Sequence, residues 1–522
     1  MITILSGCYL LPLAIAVILL LLPKNAQSAP KWLALLATSS SFLFALYLFF
    51  IYDRITGGFQ FVTRKPWLSE LGITYWIGVD GISLSLLLLN GLVGLAGVLF
   101  SWNVTEKPNL FFSLYLLVVA GAAGVFQALD FFILFVFYEL VIVPKYLLIA
   151  GWGSTRREYG AMKLTMYSAA GSAFVLLGMV AIWALGASRG IVTMGLPDML
   201  PSASEYSNFT TPKEQLWLFP ILFTGFAVLA GLWPLHTWAP TGHVAAPTAG
   251  SMLLAGVVMK LGAYGALRVP MSLLPHGLEA WRWFFAFLGA IGIIAGALAA
   301  MRQQDLKFVV GYSSIAHMGF VIVGLMTLSP SGLSGAVFQM VSHGIIGALL
   351  FAVVGRMIYE RTHTRNLQIL EQLGLSQHLP FAAGTFLLAS LASMGMPGFS
   401  GFVAEICILF GTWQTMPILL ILAGLGAAFT VAFTLIALKR SFFAPPQKTS
   451  TQLQEPQELS KEATPQLKKE KFQKITKPEI IGALLLLAAT ILLGLAPGIL
   501  MGPITESLHG NYFEALFQEV TK

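Results

Sequence analysis

The sequence predicts an all-α polytopic membrane protein with about fourteen transmembrane helices. Three observations predict it. Hydrophobic residues make up 57% of the 522 and charged residues only 10%, where a soluble domain carries about 25% charge. Fourteen apolar runs approach the roughly 20 residues that a helix needs to cross a bilayer; they lie near residues 3–22, 32–52, 82–102, 110–129, 131–150, 164–185, 216–234, 247–269, 281–300, 306–327, 335–358, 381–410, 416–438 and 479–500. Finally, 20 of the 30 Lys and Arg fall in connections after odd-numbered runs, against 8 after even-numbered runs and in the C-terminal tail, with Lys145 and Lys260 inside spans. A miscounted helix would blur that contrast. Basic residues favour the cytoplasmic side, so both termini are expected to face the outer compartment, whether periplasm, thylakoid lumen or intermembrane space.

The first run, MITILSGCYLLPLAIAVILLLLP, has no basic residue before it. It reads as a retained helix and not a cleaved signal. Asp80 and Asp130 precede the third and fifth runs and read as helix caps. The fifth run carries Glu139 and Lys145. The stretch from Trp217 to Gly265 organises the rest. Pro234, His236, Thr237, Pro240, Thr241, Gly242, His243, Pro247, Thr248 and Gly250 crowd into seventeen residues between apolar runs, and Lys260 follows within the eighth run. Irregular backbone at membrane depth survives only where protein or water satisfies it, so a broken seventh span beside a buried lysine is expected. LASMGMPGFSGFVAEI in the twelfth run echoes it, with Pro397 at the break and Glu405 beyond. Interrupted spans in corresponding halves point to an inverted repeat with a site near the midplane. His317 and His343 lie in the tenth and eleventh runs. Residues 444–478 are rich in Pro, Gln, Lys and Glu and read as a solvated linker, either a docking strap for a soluble partner or a plain loop.

Soluble-enzyme chemistry is excluded by motif: the chain has no P-loop, no HExxH and no GxGxxG between strand and helix. Cys8 and Cys407 form no disulfide framework and no metal spacing. The formal charge of +7 reads as membrane topology and gives no reason to expect nucleic acid. What remains is ionisable groups at membrane depth: Glu139, Lys145, Lys260, His317, His343 and Glu405. Such groups cost several kcal/mol or more in lipid, and they mark functional sites by default. Carboxylate, lysine and histidine in series can pass a proton. Each also has a plainer reading: a helix–helix ion pair for Glu139 or Glu405, an interhelical hydrogen bond for His317 or His343, a structural role for His236 and His243.

In combination, PLHTWAPTGHVAAPTAGSMLLAGVVMKLGAYG, QQDLKFVVGYSSIAHMGF, FQMVSHGIIGALLFAVVGRMIYERTHTR and MGMPGFSGFVAE resemble the antiporter-like membrane subunits of respiratory complex I, chain 4 type, over roughly residues 80–440. The resemblance implies two inverted five-helix repeats with broken seventh and twelfth helices. It divides the chain into 1–109 (helices 1–3), 110–269 (first repeat), 270–440 (second repeat), 441–478 (charged cytoplasmic linker) and 479–522 (helix 14 and tail). It implies proton translocation driven by NAD(P)H or ferredoxin oxidation in partner subunits, which hold the quinone and iron–sulfur clusters; no cofactor is expected on this chain. The implied partners are the chain 5 and chain 2 antiporter-like subunits, and lipids. Glu139 matches the family's fifth-helix glutamate, Lys260 its central lysine, His317 and His343 its polar axis, and Glu405 its outward acidic residue. Pro234, His236, His243, Pro247 and Pro397 mark the broken-helix channel.

One departure stands out. The family's usual seventh-helix pattern is FAVKxPxxPLHTWLPDAH, whereas this chain reads FAVLAGLWPLHTWAPTGH. Leu229 replaces the lysine that pairs with the glutamate, and Lys145 occupies a normally apolar position. Six residues along a helix is roughly 9 Å and about 120° of rotation, which takes Lys145 off the face of Glu139 unless Pro144 bends the helix. Two readings stay open: the lysine function has moved to 145, or Lys145 snorkels toward the cytoplasm and the switch is lost. The altered seventh helix also resembles cyanobacterial thylakoid paralogues in CO2-uptake complexes, where the partner would be a carbonic-anhydrase-like protein; a bacterial inner membrane is the alternative location. Two further functions are an Mrp-type sodium/proton antiporter subunit and a non-pumping membrane scaffold.

Overall fold

The computed structural model describes residues 4–23, 26–55, 57–200, 209–444, 472–510 and 512–513. Among them, twelve helices are long and apolar enough to cross a membrane. These are α1 (Ile4–Leu21), α2 (Ala29–Ile51), α3 (Gly81–Phe100), α4 (Pro108–Gln127), the pair α5 (Phe131–Leu140) and α6 (Ile142–Trp152), α7 (Arg157–Ser188), α10 (Thr248–Met271), α11 (Pro275–Arg302), α12 (Leu306–Met326), α13 (Pro330–Thr362), α16 (Pro417–Phe443) and α17 (Lys477–Leu495). The seventh and twelfth runs are each divided: α8 (Pro212–Ala230) from α9 (Trp238–Ala245), and α14 (Pro380–Ser393) from α15 (Ser400–Thr415). α18 (Gly498–Leu508) follows α17. Each apolar run therefore coincides with a helix or a divided pair.

The breaks have local causes. α8 ends on Gly231, whose φ of +82° forms a left-handed cap that a side chain would strain, and Pro234 follows at once. α14 ends before Gly395 (φ +69°), Pro397 and Gly398 (φ +95°). The helix α10 starts from Pro247 and carries a π-helical turn over Leu254–Val258, just before Lys260. Such turns free backbone carbonyls and recur at functional sites. At Val141 the helix is interrupted between α5 and α6; Pro144, which has no N–H for the Leu140 carbonyl, accounts for the interruption.

Burial ranks the helices. The most apolar windows of α10 and α13 are entirely buried and those of α3 and α12 are 89% buried, whereas α2 and α7 are 39% and α16 33% buried. The centre is thus α10 against α13, with α2, α7 and α16 turned outward to lipid or neighbours. The two central helices meet backbone to backbone: a Cβ on Gly344 would lie 2.6 Å from the Gly256 carbonyl oxygen. Small residues at the contact are how helices approach closely in a membrane.

The structure adds an element to the all-α expectation. The connection from α2 to α3 is an antiparallel hairpin of β1 (Gln60–Leu68) and β2 (Ile73–Val79). Asp130 accepts from the Thr74 backbone N–H at 2.9 Å and from Phe132 and Ile133, so the expected cap also anchors the hairpin. Asp80 caps α3 in a reciprocal box with Ser83. Most of the expected linker, residues 445–471, lies outside the described residues.

Candidate functional site

Four ionisable residues from four helices form a continuous line through the centre. Lys260 (α10) is fully buried; its Nζ lies 2.7 Å from Nδ1 of His343 (α13) and also donates to the Ala255 carbonyl of the π turn. The His343 ring stands 5.3 Å from that of His317 (α12). Nδ1 of His317 is 3.5 Å from Oε1 of Glu405 (α15), and its Nε2 is 3.1 Å from the Ser393 hydroxyl at the end of α14. Glu405 abuts the break of the twelfth span, where a Cβ on Gly395 would meet its Oε2 at 2.6 Å. A small cavity lined by His317, Gln339, Ser342, His343 and Ser393 has room for about one water molecule. Of the two histidines, His343 is the one that touches Lys260.

Near the other break, α9 ends on two buried cations. Lys307 donates to the carbonyls of Val244 (3.3 Å) and Ala246 (2.6 Å), and Arg365 donates to Val244 at 3.3 Å while pairing with Asp305 at 3.2 Å. Cations suit the exposed carbonyls of a helix C-terminus. Beside them His243 is fully buried, stacked on Phe351 at 4.6 Å, with neither ring nitrogen hydrogen-bonded. His236 is half-buried in the broken segment with Nδ1 unpartnered, and Pro234 and Pro397 are exposed at the two breaks.

In the fifth span, Lys145 is 3% exposed and its Nζ donates to the Ser168 hydroxyl of α7 at 3.0 Å. That burial overturns the snorkelling reading, since the ammonium ends in protein. Glu139 is half-buried with Oε1 unpartnered and acts electrostatically on Lys145, though no ion pair joins them within 4.0 Å among the described residues. Leu229 is 2% exposed within the apolar core.

Several polar residues escaped the sequence reading. Gln339 donates to His317 at 3.3 Å. Arg268, at the end of the eighth run, is 1% exposed inside α10, pairs with Asp80, and is ringed by Phe59, Tyr264, Tyr512 and Phe513. Lys307, at the start of the tenth, is 3% exposed. Both stand at the edges of apolar runs, which was the available signal. Among the described residues no group of three His, Cys, Asp or Glu side chains is arranged to hold a metal.

Residues 128–430 match the family described as NADH:quinone oxidoreductase/Mrp antiporter, transmembrane. The chain belongs to this family. It is 37% identical over 452 residues to NAD(P)H-quinone oxidoreductase chain 4 1 of Synechococcus elongatus, covering 84% of this chain and 81% of the relative. It is 36% identical over 513 residues to NADH-quinone oxidoreductase subunit M of Rhodobacter capsulatus, covering 96% and 95%. Among solved structures, a chain of respiratory complex I from Thermus thermophilus with bound NADH superposes with TM-score 0.83 at 26% identity, over 98% of this chain and 99% of that one. A chain of the Mrp complex from Dietzia sp. shares the fold, with TM-score 0.79 at 18% identity over 99% and 100%. The family member described here is thus a multi-pass membrane protein of the chain 4 type that its motifs indicated.

Proposed function

We propose that this chain is a proton-translocating membrane subunit of a NAD(P)H- or ferredoxin-driven quinone oxidoreductase complex. The observation that carries the reading is the series Lys260, His343, His317, Glu405 between two interrupted helices, with the two imidazoles 5.3 Å apart at its middle. Protons enter from the cytoplasm past the broken seventh span, with His236 and His243 along the way, load Lys260, cross the two imidazoles and leave by Glu405 to the outer compartment. Gln339 and Ser393 hold His317 in register. The redox groups and quinone belong to partner subunits, and this chain supplies the channel beside further antiporter-like subunits, chains 5 and 2. The two breaks are corresponding features of repeats at 110–269 and 270–440. Named relatives at 36–37% identity are quinone oxidoreductase subunits, which favours this reading over an Mrp antiporter. Leu229 favours a second, narrower form, a thylakoid CO2-uptake complex with a carbonic-anhydrase-like partner.

The test is proton uptake by vesicles holding the assembled complex, driven by its electron donor and quinone. Lys260→Ala is expected to lower uptake on the order of a hundred-fold, the low end for losing a proton-transfer group. Unchanged uptake would make the chain a scaffold, and uptake that follows sodium instead of the redox donor would make it an antiporter.

A further inference from the structure

Beside the central series lies a second one, made of hydroxyls. Ser342 (α13), Ser400 at the start of α15 and Thr490 (α17) are buried, and Ser400 Oγ stands 2.8 Å from Ser342 Oγ and 2.8 Å from Thr490 Oγ1. Hydroxyls in this protein commonly donate to a carbonyl four residues back, as those of Ser85, Ser168, Thr412 and Thr430 do. Among the described residues these three donate only to one another. Three hydroxyls carry three hydrogens, and two contacts use two of them. One hydrogen is therefore left over, at the Ser342 end or at the Thr490 end, and the series can point either way. At the Ser342 end is the cavity that His317, Gln339, His343 and Ser393 also line. Gln339 is 1% exposed, and its Oε1 has no hydrogen-bond partner. A buried acceptor left open on a polar cavity of that size calls for a water. At the other end α17 packs tightly on the second break: a Cβ on Gly494 would lie 2.4 Å from the Gly398 carbonyl oxygen.

We infer that Ser342, Ser400 and Thr490 are positioning residues that turn with the water between the two imidazoles, and that α17 thereby takes part in the crossing from His343 to His317. The inference rests on the proton-translocating reading above. A water ready to take a proton keeps one lone pair free for it; it accepts from Ser342 on the other and donates to Gln339 Oε1. Once protonated, the same water has three hydrogens to give and no lone pair to spare, so Ser342 must accept. It can do so only if its own hydrogen swings to Ser400, that of Ser400 to Thr490, and that of Thr490 to a carbonyl of its own helix. No O–H bond is broken along the series; each hydroxyl rotates. When the proton leaves for His317 the series turns back.

The experiment measures proton uptake by vesicles containing the whole complex, in H2O and in D2O. Thr490→Val keeps the shape of the side chain and removes the hydroxyl. Uptake is expected to fall a few-fold to about ten-fold, the worth of one hydrogen bond, and the slowing in D2O to grow, because the crossing becomes the limiting step. Thr490→Ser, which keeps the hydroxyl, should retain uptake near the wild-type rate. Ser342→Ala should cause a similar fall, and the double variant no more than the larger single one, because the hydroxyls act as one unit. Wild-type uptake in Thr490→Val overturns the inference. So does a Thr490→Ser variant as slow as Thr490→Val, an unchanged D2O ratio, or losses that multiply. If Thr490→Val does not assemble, Ser400→Ala replaces it under the same criteria. Wild-type uptake in Lys260→Ala would mark failure of the underlying function instead.

Discussion

Lys260 and His343 depend on each other. Removing the imidazole leaves the fully buried lysine with only the Ala255 carbonyl, and an isolated charge there costs several kcal/mol. His343→Phe is therefore expected to abolish proton uptake while electron transfer by the complex continues uncoupled, which parallel assays of quinone reduction and vesicle acidification would show. Asp80 and Arg268 form the other buried pair. Asp80→Asn leaves the guanidinium among four aromatic rings without its counter-charge, at a cost of about 3–5 kcal/mol. A lowered melting temperature of the detergent-solubilised complex would register it. Glu139, Lys145, Lys260, His317, His343 and Glu405 were legible in the sequence because a charge within an apolar run has few innocent explanations. Gln339 and Ser393 were not, since a neutral polar side chain at membrane depth is common and cheap. Arg268 and Lys307 were hidden by position: at the edge of a run, hydropathy assigns a basic residue to water.

Among the elements, the two broken helices were readable from Gly and Pro alone, because a left-handed cap and a missing N–H leave a composition mark. The hairpin was not. Arg64, Lys65 and Pro66 sit in β1, and a search tuned to twenty-residue apolar runs passes over a strand of nine residues. Nor was the contact between the two central helices visible, for glycines at 256 and 344 are two among 51. Gly344→Ala would place a methyl group 2.6 Å from the Gly256 carbonyl and 2.7 Å from Leu89. Overpacking of this kind costs about 1–3 kcal/mol. It is expected to spread α10 from α13 and slow proton uptake although no ionisable group has changed; a variant with full uptake would show that the spacing of Lys260 and His343 does not depend on that contact.

For the molecule as a whole, the placing of the apolar runs carried over to the structure, but their ranking did not. A helix facing lipid and a helix buried among helices are equally apolar, so nothing in composition marks α10 and α13 as central and α16 as peripheral. The last span is fastened to that centre by Glu479, which is 1% exposed and accepts from Arg356 and Arg361 of α13, each at 2.7 Å. Arg361 also donates to the carbonyls of Gln473 and Lys474, where the chain returns to α17. Glu479→Gln is expected to reduce the amount of this chain in purified complex; normal amounts would show that α17 is held by apolar packing alone. The 2.7 Å between Lys260 and His343 also bears on the protein as a machine. Two bases at that spacing have one hydrogen between them, and like charges so close repel. The middle of the membrane thus offers a single berth. In the proton-translocating function proposed above, protons would then pass in turn, each clearing before the next is admitted.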